Sequence, residues 1–175
     1  WPFYNPKAEI HLYGRAGFQK ELGLLMGPPF WPQGFGDFSA KLYFHELYPK
    51  EVFGVGGLKG DTMEGNHPGG SLLYRLEASG KRLTYALDCE ISPDNAYELE
   101  DFSCKSSLLI WDATFAPEDM RFGWGHSTWK QGIALGRKAQ AERVLMTHYS
   151  QEYTDVFLSR QEHLAMETDS ISSFA

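Results

Sequence analysis

The stretch WGHSTWKQGIALGRKAQAERVLMTHY, residues 124–149, decides how the rest of the chain is read. Thr128 and Gln131 have capping-box spacing, with Ser127 as a second cap candidate, so a helix is predicted from about Trp129. Trp129, Ile133 and Gly136 recur at three-to-four-residue intervals and can face a core. Arg143 to Met146 is too short for a helix and reads as a buried strand. His126 therefore stands just before a helix and His148 just after a strand. In layered α/β proteins, ligand and metal sites gather at the C-terminal ends of strands, so the two histidines can share one rim.

Working outward, 175 residues suffice for one domain with a full core, and the reading is of a single domain over residues 1–175. The composition, 42% hydrophobic and 22% charged, is that of a globular protein. No apolar run approaches the ~20 residues of a membrane helix, and the first ten residues lack a signal-peptide pattern. A formal charge of −7 argues against a broad nucleic-acid face, which needs a basic stripe. Cys89 and Cys104 make neither a disulfide framework nor a CxxC pair, which fits a reducing cytoplasm.

Toward the N-terminus, alternation predicts strands at Ala8 to Tyr13 and Lys41 to Leu47. A short helix from Ala16 to Met26 lies between them, ended by Gly27 and two prolines. Residues 28–37, rich in Pro, Gly and aromatics, form a packed loop or lid. The glycine-rich 51–66 segment is a hairpin or extended edge. SLLYRLE (71–77) and RLTYALD (82–88) each place Leu and Tyr on one face. The Ser79-Gly80 connection makes them an antiparallel hairpin. A helix over 93–102 has Ser92 as its cap. Leu108 to Trp111 is a continuous apolar run, as in a strand covered on both faces. A loop over 116–125 follows. Val156 to Met166 is a last helix, and the Ser-rich tail after Thr168 should fray. Strands first, then alternating strands and helices, suggest sheets covered by helices.

His67, Asp88 and His148 stand where strands start or stop, and a His/Asp/His set suits zinc, manganese or iron. Their spacing carries no local metal signature. On pattern alone, the histidines can equally be surface or capping residues and Asp88 a turn carboxylate. His126 can be a helix-flanking histidine and Asp112 a turn initiator. If the two meet, the carboxylate orients the imidazole and leaves a general acid. Trp111, Phe115, Phe122, Trp124 and Trp129 read as core and loop packing. Arg75, Arg121 and Lys130 are the cations nearest these residues in sequence; each can meet phosphate or be a solvated charge.

HPGGSLLYRLE, GKRLTYALDCE, SLLIWDATFAPEDM and GWGHSTWKQGIALGRKAQAERVLMTHYSQEYTD, in this order, resemble the C-terminal half of a metallo-β-lactamase-fold hydrolase, in the phosphodiesterase and ribonuclease Z branch. The resemblance covers roughly residues 1 to 158. It implies an α/β fold, the four-layer αββα sandwich, and a centre of two divalent ions, zinc or else manganese or iron. His67 matches the third histidine of the first metal site, Asp88 the bridging aspartate, and His148 the histidine completing the second. Asp112 in WDATF and His126 in GHST match the acidic and histidine positions of the branch's HEAT and HST motifs, a pair that protonates the leaving oxygen. The metals would supply hydroxide at neutral pH and neutralise phosphoryl charge.

The chain departs from that pattern in one respect. The family's HxHxDH motif, which supplies the other ligands, is absent, and none of His11, His45 or His163 has its spacing. The resemblance therefore implies a domain without its N-terminal part, and a parent hydrolase whose present stretch is inactive alone. The expected substrate is a small or cyclic phosphodiester, with nucleic acid disfavoured by the charge and no membrane partner. The other reading is a non-catalytic remnant of the fold, used for interaction or for forming a homodimer.

Overall fold

Hydrophobic alternation and turn chemistry account for most of the architecture in this computed structural model, which describes residues 2–175. The chain forms two compact units, Trp1–Pro49 and Lys50–Ala175. In the first, strands β1 (Glu9–Arg15) and β2 (Lys41–Leu47) pair in parallel, with helix α1 (Phe18–Leu25) between them in the chain. The Phe44 ring meets Phe18 and Phe35 at 5.9 and 5.0 Å. Residues of the opposite alternation, Tyr43, His11, His45 and Tyr13, stack in a column with centroid spacings of 4.6, 5.1 and 4.3 Å.

The second unit is built on a seven-stranded sheet in simple sequence order. Strands β3 (Val52–Val55), β4 (Leu58–Gly65), β5 (Ser71–Ala78) and β6 (Lys81–Ala86) form an antiparallel meander. The expected Ser79-Gly80 hairpin is present. Both residues have positive φ, 50° and 73°, as a tight turn matched to strand twist requires. From β6 onward the sheet changes character. Strands β7 (Leu108–Asp112), β8 (Val144–Thr147) and β9 (Ser172–Phe174) add in parallel. Parallel neighbours need crossover connections, and helices α2 (Ala96–Phe102), α3 (Trp129–Lys138) and α4 (Asp155–Thr168) lie in them.

The core lies where α3 packs on β7 and β8. Leu109, Trp111, Val144 and Met146 are fully buried, and Ile133 and Trp129 nearly so. Gly132 sits against the Trp111 indole, where any Cβ would collide with the ring. Trp111 Nε1 donates to Thr128 O at 3.1 Å, and Trp129 Nε1 to Gln161 Oε1 at 2.8 Å, so both indoles bury their polar atoms with a partner.

Three local expectations are corrected. Leu108 and Ile110 are only half-buried, so β7 is covered more fully on one face than the other. Helix α2 starts after Asn95, not Ser92, because the Asn95 side chain folds back to accept from Ser92 N at 2.8 Å. The tail does not fray: after a turn at Asp169 it pairs as β9, with Ser172 buried. Among the described residues no helix is long and apolar enough to cross a membrane.

Candidate metal and proton-transfer site

Because β6, β7 and β8 are parallel, their C-terminal ends share one rim. Asp88 follows β6, Asp112 ends β7, and His148 follows β8, with Asp112 opposite Thr147 in register. The start of β5 meets the same rim, since Ser71 Oγ donates to the Asp88 carbonyl at 2.7 Å. Asp88 and His148 both occupy the left-handed backbone region, at φ 50° and 64°. Such conformations cost non-glycine residues energy and concentrate at functional sites. Here they turn two side chains out at the rim where an extended strand would carry them past it.

Asp88, Asp112, His126 and His148 each present a nitrogen or oxygen within 4.8 Å of all the others. Asp88 Oδ1 lies 3.2 Å from His148 Nε2 and 3.7 Å from His126 Nδ1. His126 Nδ1 donates to Asp112 Oδ2 at 2.8 Å, and the His126 and His148 rings stack at 5.2 Å. The structure thus brings together the expected His126–Asp112 pair and the expected Asp88 and His148.

Asp112 is fully buried, so its charge needs partners. Thr114 supplies two, its N–H at 3.0 Å and its hydroxyl at 2.7 Å, both donated to Oδ1. The single proton of Thr114 Oγ1 is shared between two oxygen acceptors, Asp112 Oδ1 and the His148 carbonyl at 2.8 Å. The same oxygen, 2.9 Å from His148 Nδ1, must accept there. Neutral His148 consequently carries its proton on Nδ1 and presents a bare lone pair at Nε2 toward the Asp88 carboxylate. Two lone-pair donors facing each other across 3.2 Å repel unless a proton or cation lies between them. The donor set therefore fits a divalent ion of the zinc, manganese or iron kind.

His67 takes a different place. Its ring packs edge-on against His126 at 5.3 Å, outside the group of four. Its Nδ1 accepts from Gly69 N at 3.1 Å, which puts the neutral ring's proton on Nε2. To ligate, His67 would have to release that amide.

Other sequence-marked residues separate. Phe122 and Trp124 are exposed, at 77% and 57%, which corrects their expected role as packing, whereas Trp111, Phe115 and Trp129 are buried. Arg75 is spent on Asp61 and the face of Phe102. Arg121 pairs with Glu152 and lies over Phe115 and Trp124. Because Phe115 packs against His126 at 6.1 Å, Arg121 is connected to the rim through one ring. Lys130 is exposed. Cys89 is wholly buried; burial chiefly pushes its thiol up to about 11, so it serves packing and not nucleophilic chemistry. The residues that sequence reasoning missed are Thr114 and Glu90. Thr114 had a signal, a hydroxyl beside a motif carboxylate; Glu90 had none beyond its nearness to Asp88.

A family model described as a β-lactamase superfamily domain matches residues 38–149. Ribonuclease Z of Picrophilus torridus is 30% identical over 115 residues, which are 65% of this chain and 32% of that protein. Among solved structures, the metallo-β-lactamase fold protein YhfI from Bacillus subtilis superposes with a TM-score of 0.72 at 16% identity, covering 95% of this chain and 62% of that one. The short form of human tRNase Z superposes with a TM-score of 0.67 at 20% identity, covering 83% and 62%. The chain thus spans about a third of that curated relative and about three fifths of these solved chains. The fold likeness agrees with the α/β architecture that the sequence motifs imply.

Proposed function

Since this chain belongs to the β-lactamase superfamily and has the metallo-β-lactamase fold, we propose that it carries the proton-transfer half, and part of the metal-binding half, of a metal-dependent phosphodiester hydrolase. The observation that carries this reading is the convergence of Asp88, Asp112, His126 and His148 within 4.8 Å. Asp88 and His148 would hold metal, with His67 joining if it frees its nitrogen. Two bound divalent ions, zinc by preference, would supply an acidified water and neutralise phosphoryl charge.

The chain's own residues do the rest. Thr114 fixes the tautomer and direction of His148. Asp112 orients His126 through Nδ1 and balances the charge of the ring when Nε2 also holds a proton. His126, with its side chain 17% exposed, can then deliver that proton to the departing oxygen of a substrate at the rim. The substrate class is a small or cyclic phosphodiester, because a chain of net charge −7 offers little to the backbone of a long nucleic acid. Two free cysteines are compatible with a cytoplasmic setting. With so few ligands among residues 1–175, tight metal binding and activity require further ligands from outside this stretch.

The test uses the full-length protein, zinc titration and two substrates. His148→Ala should abolish zinc uptake at this site and all hydrolysis. His126→Ala should bind zinc normally while turnover of a 2′,3′-cyclic nucleotide, whose leaving group is an alkoxide, falls by about 10²–10⁴-fold. The loss should be smaller on bis-p-nitrophenyl phosphate, whose phenolate leaves without help. Equal turnover by wild type and His126→Ala on the cyclic substrate removes the proton-donor role. A zinc-loaded wild type that hydrolyses neither substrate favours a non-catalytic interaction module.

A further inference from the structure

Glu90 is a buried carboxylate that the chemistry above does not use, 7% exposed and two residues beyond Asp88. Its Oε2 accepts from two backbone amides of one loop, Gly123 N at 2.7 Å and Gly125 N at 3.2 Å. Both glycines have positive φ, 79° and 82°, which lets alternate amides of a short segment turn toward one oxygen. His126 is the next residue. The Glu90 backbone meanwhile holds the other histidine loop: Glu90 N donates to Asn66 O at 2.9 Å, and Asn66 Nδ2 donates to Glu90 O at 3.2 Å. The two loops touch, because Gly125 is pressed against the His67 ring so closely that no Cβ fits between them. Ser127 closes the arrangement by donating to Cys89 O at 2.8 Å and accepting from Ile91 N at 3.2 Å.

We propose that Glu90 is a positioning residue: one carboxylate oxygen clamps the Gly123–Gly125 turn so that His126 stands over Asp112 and beside His67. The proposal rests on the reading of His126 as proton donor for its consequence, but not for its geometry. A buried acceptor with two N–H bonds gives a rigid hold, since losing it leaves the buried Gly125 amide without its partner.

Hydrogen exchange on the full-length protein, followed by mass spectrometry, tests the clamp without reference to catalysis. In Glu90→Ala, exchange across residues 121–127 should accelerate at least about tenfold while β7 and β8 stay protected. Glu90→Gln retains an acceptor oxygen and should restore most of the protection. Turnover of the cyclic substrate should fall about 10–100-fold in Glu90→Ala with KM little changed, and recover in Glu90→Gln. If Glu90→Ala does not fold, Glu90→Asp replaces it: the charge stays, the reach is one methylene short, and the same local loss is expected. Unchanged exchange over 121–127, loss of protection spread over the whole sheet, or Glu90→Gln as damaging as Glu90→Ala would each overturn the proposal. If the wild type proves inactive, the function reading fails while the exchange pattern still decides the clamp.

Discussion

Thr114 shows how much one hydroxyl can decide. It donates to Asp112 and accepts from His148, linking the acid–base pair to the metal-binding nitrogen through a single oxygen. Thr114→Val keeps the shape and removes both links. Buried Asp112 then loses a donor, and the His148 ring is free to turn over. Loss of such a supporting contact typically weakens metal binding 10–100-fold. We therefore expect zinc affinity of the full-length protein to drop by about that factor in Thr114→Val, by calorimetric titration, and to be retained in Thr114→Ser. The gathering of Asp112, His126, Asp88 and His148 was legible in the sequence, through motif order and their places at strand ends, whereas His67, expected with them, lies outside the group of four. Thr114 and Glu90 were not legible. Their role lies in which atoms they face, and a hydroxyl or carboxylate in a loop has the same local signature whether it meets water or a backbone amide.

At the scale of elements, helix α3 was the most readable part of the chain. Its capping box is present as expected: Thr128 Oγ1 accepts from Gln131 N at 3.2 Å, and Gln131 Oε1 accepts from Thr128 N at 2.9 Å. Thr128→Ala should cost about 1 kcal/mol of stability in chemical denaturation. It should also loosen the first turn, two residues from His126. The paired strands β5 and β6 were equally legible because alternation and a two-residue turn agree. The element that sequence reasoning missed was β9. SSF is three residues long and has no apolar period, so nothing local marks it as a strand. It forms because β8 leaves unpaired amides and carbonyls beside it, as in the bond from Val144 N to Ile171 O at 2.8 Å. That is tertiary demand overriding composition.

The molecule as a whole gathers its chemistry on one half of its larger sheet. The antiparallel half, β3 to β6, is made by local turns. The parallel half, β6 to β9, is made by helical crossovers, and only there do consecutive strand ends fall on the same rim. Side chains far apart in the chain therefore meet because of strand direction, which explains why no single short motif holds all four of them.

The three-residue strand β9 carries a consequence of its own. Without it, the Val-Leu-Met-Thr run of β8 would become the bare margin of the sheet, an apolar template inviting another molecule to add on. Phe174 secures β9 by stacking on Tyr149 at 5.1 Å. The Tyr149 hydroxyl donates to Met146 O. Burial, foremost, pushes Tyr149 up to about 12, so this hydroxyl keeps its proton throughout the working range of pH. Phe174→Ala should lower stability by about 2 kcal/mol, below the range for a fully enclosed phenylalanine because this ring is half-buried. Light scattering during mild heating should show the variant clustering at temperatures where the parent stays monodisperse, because three residues would no longer shield that margin.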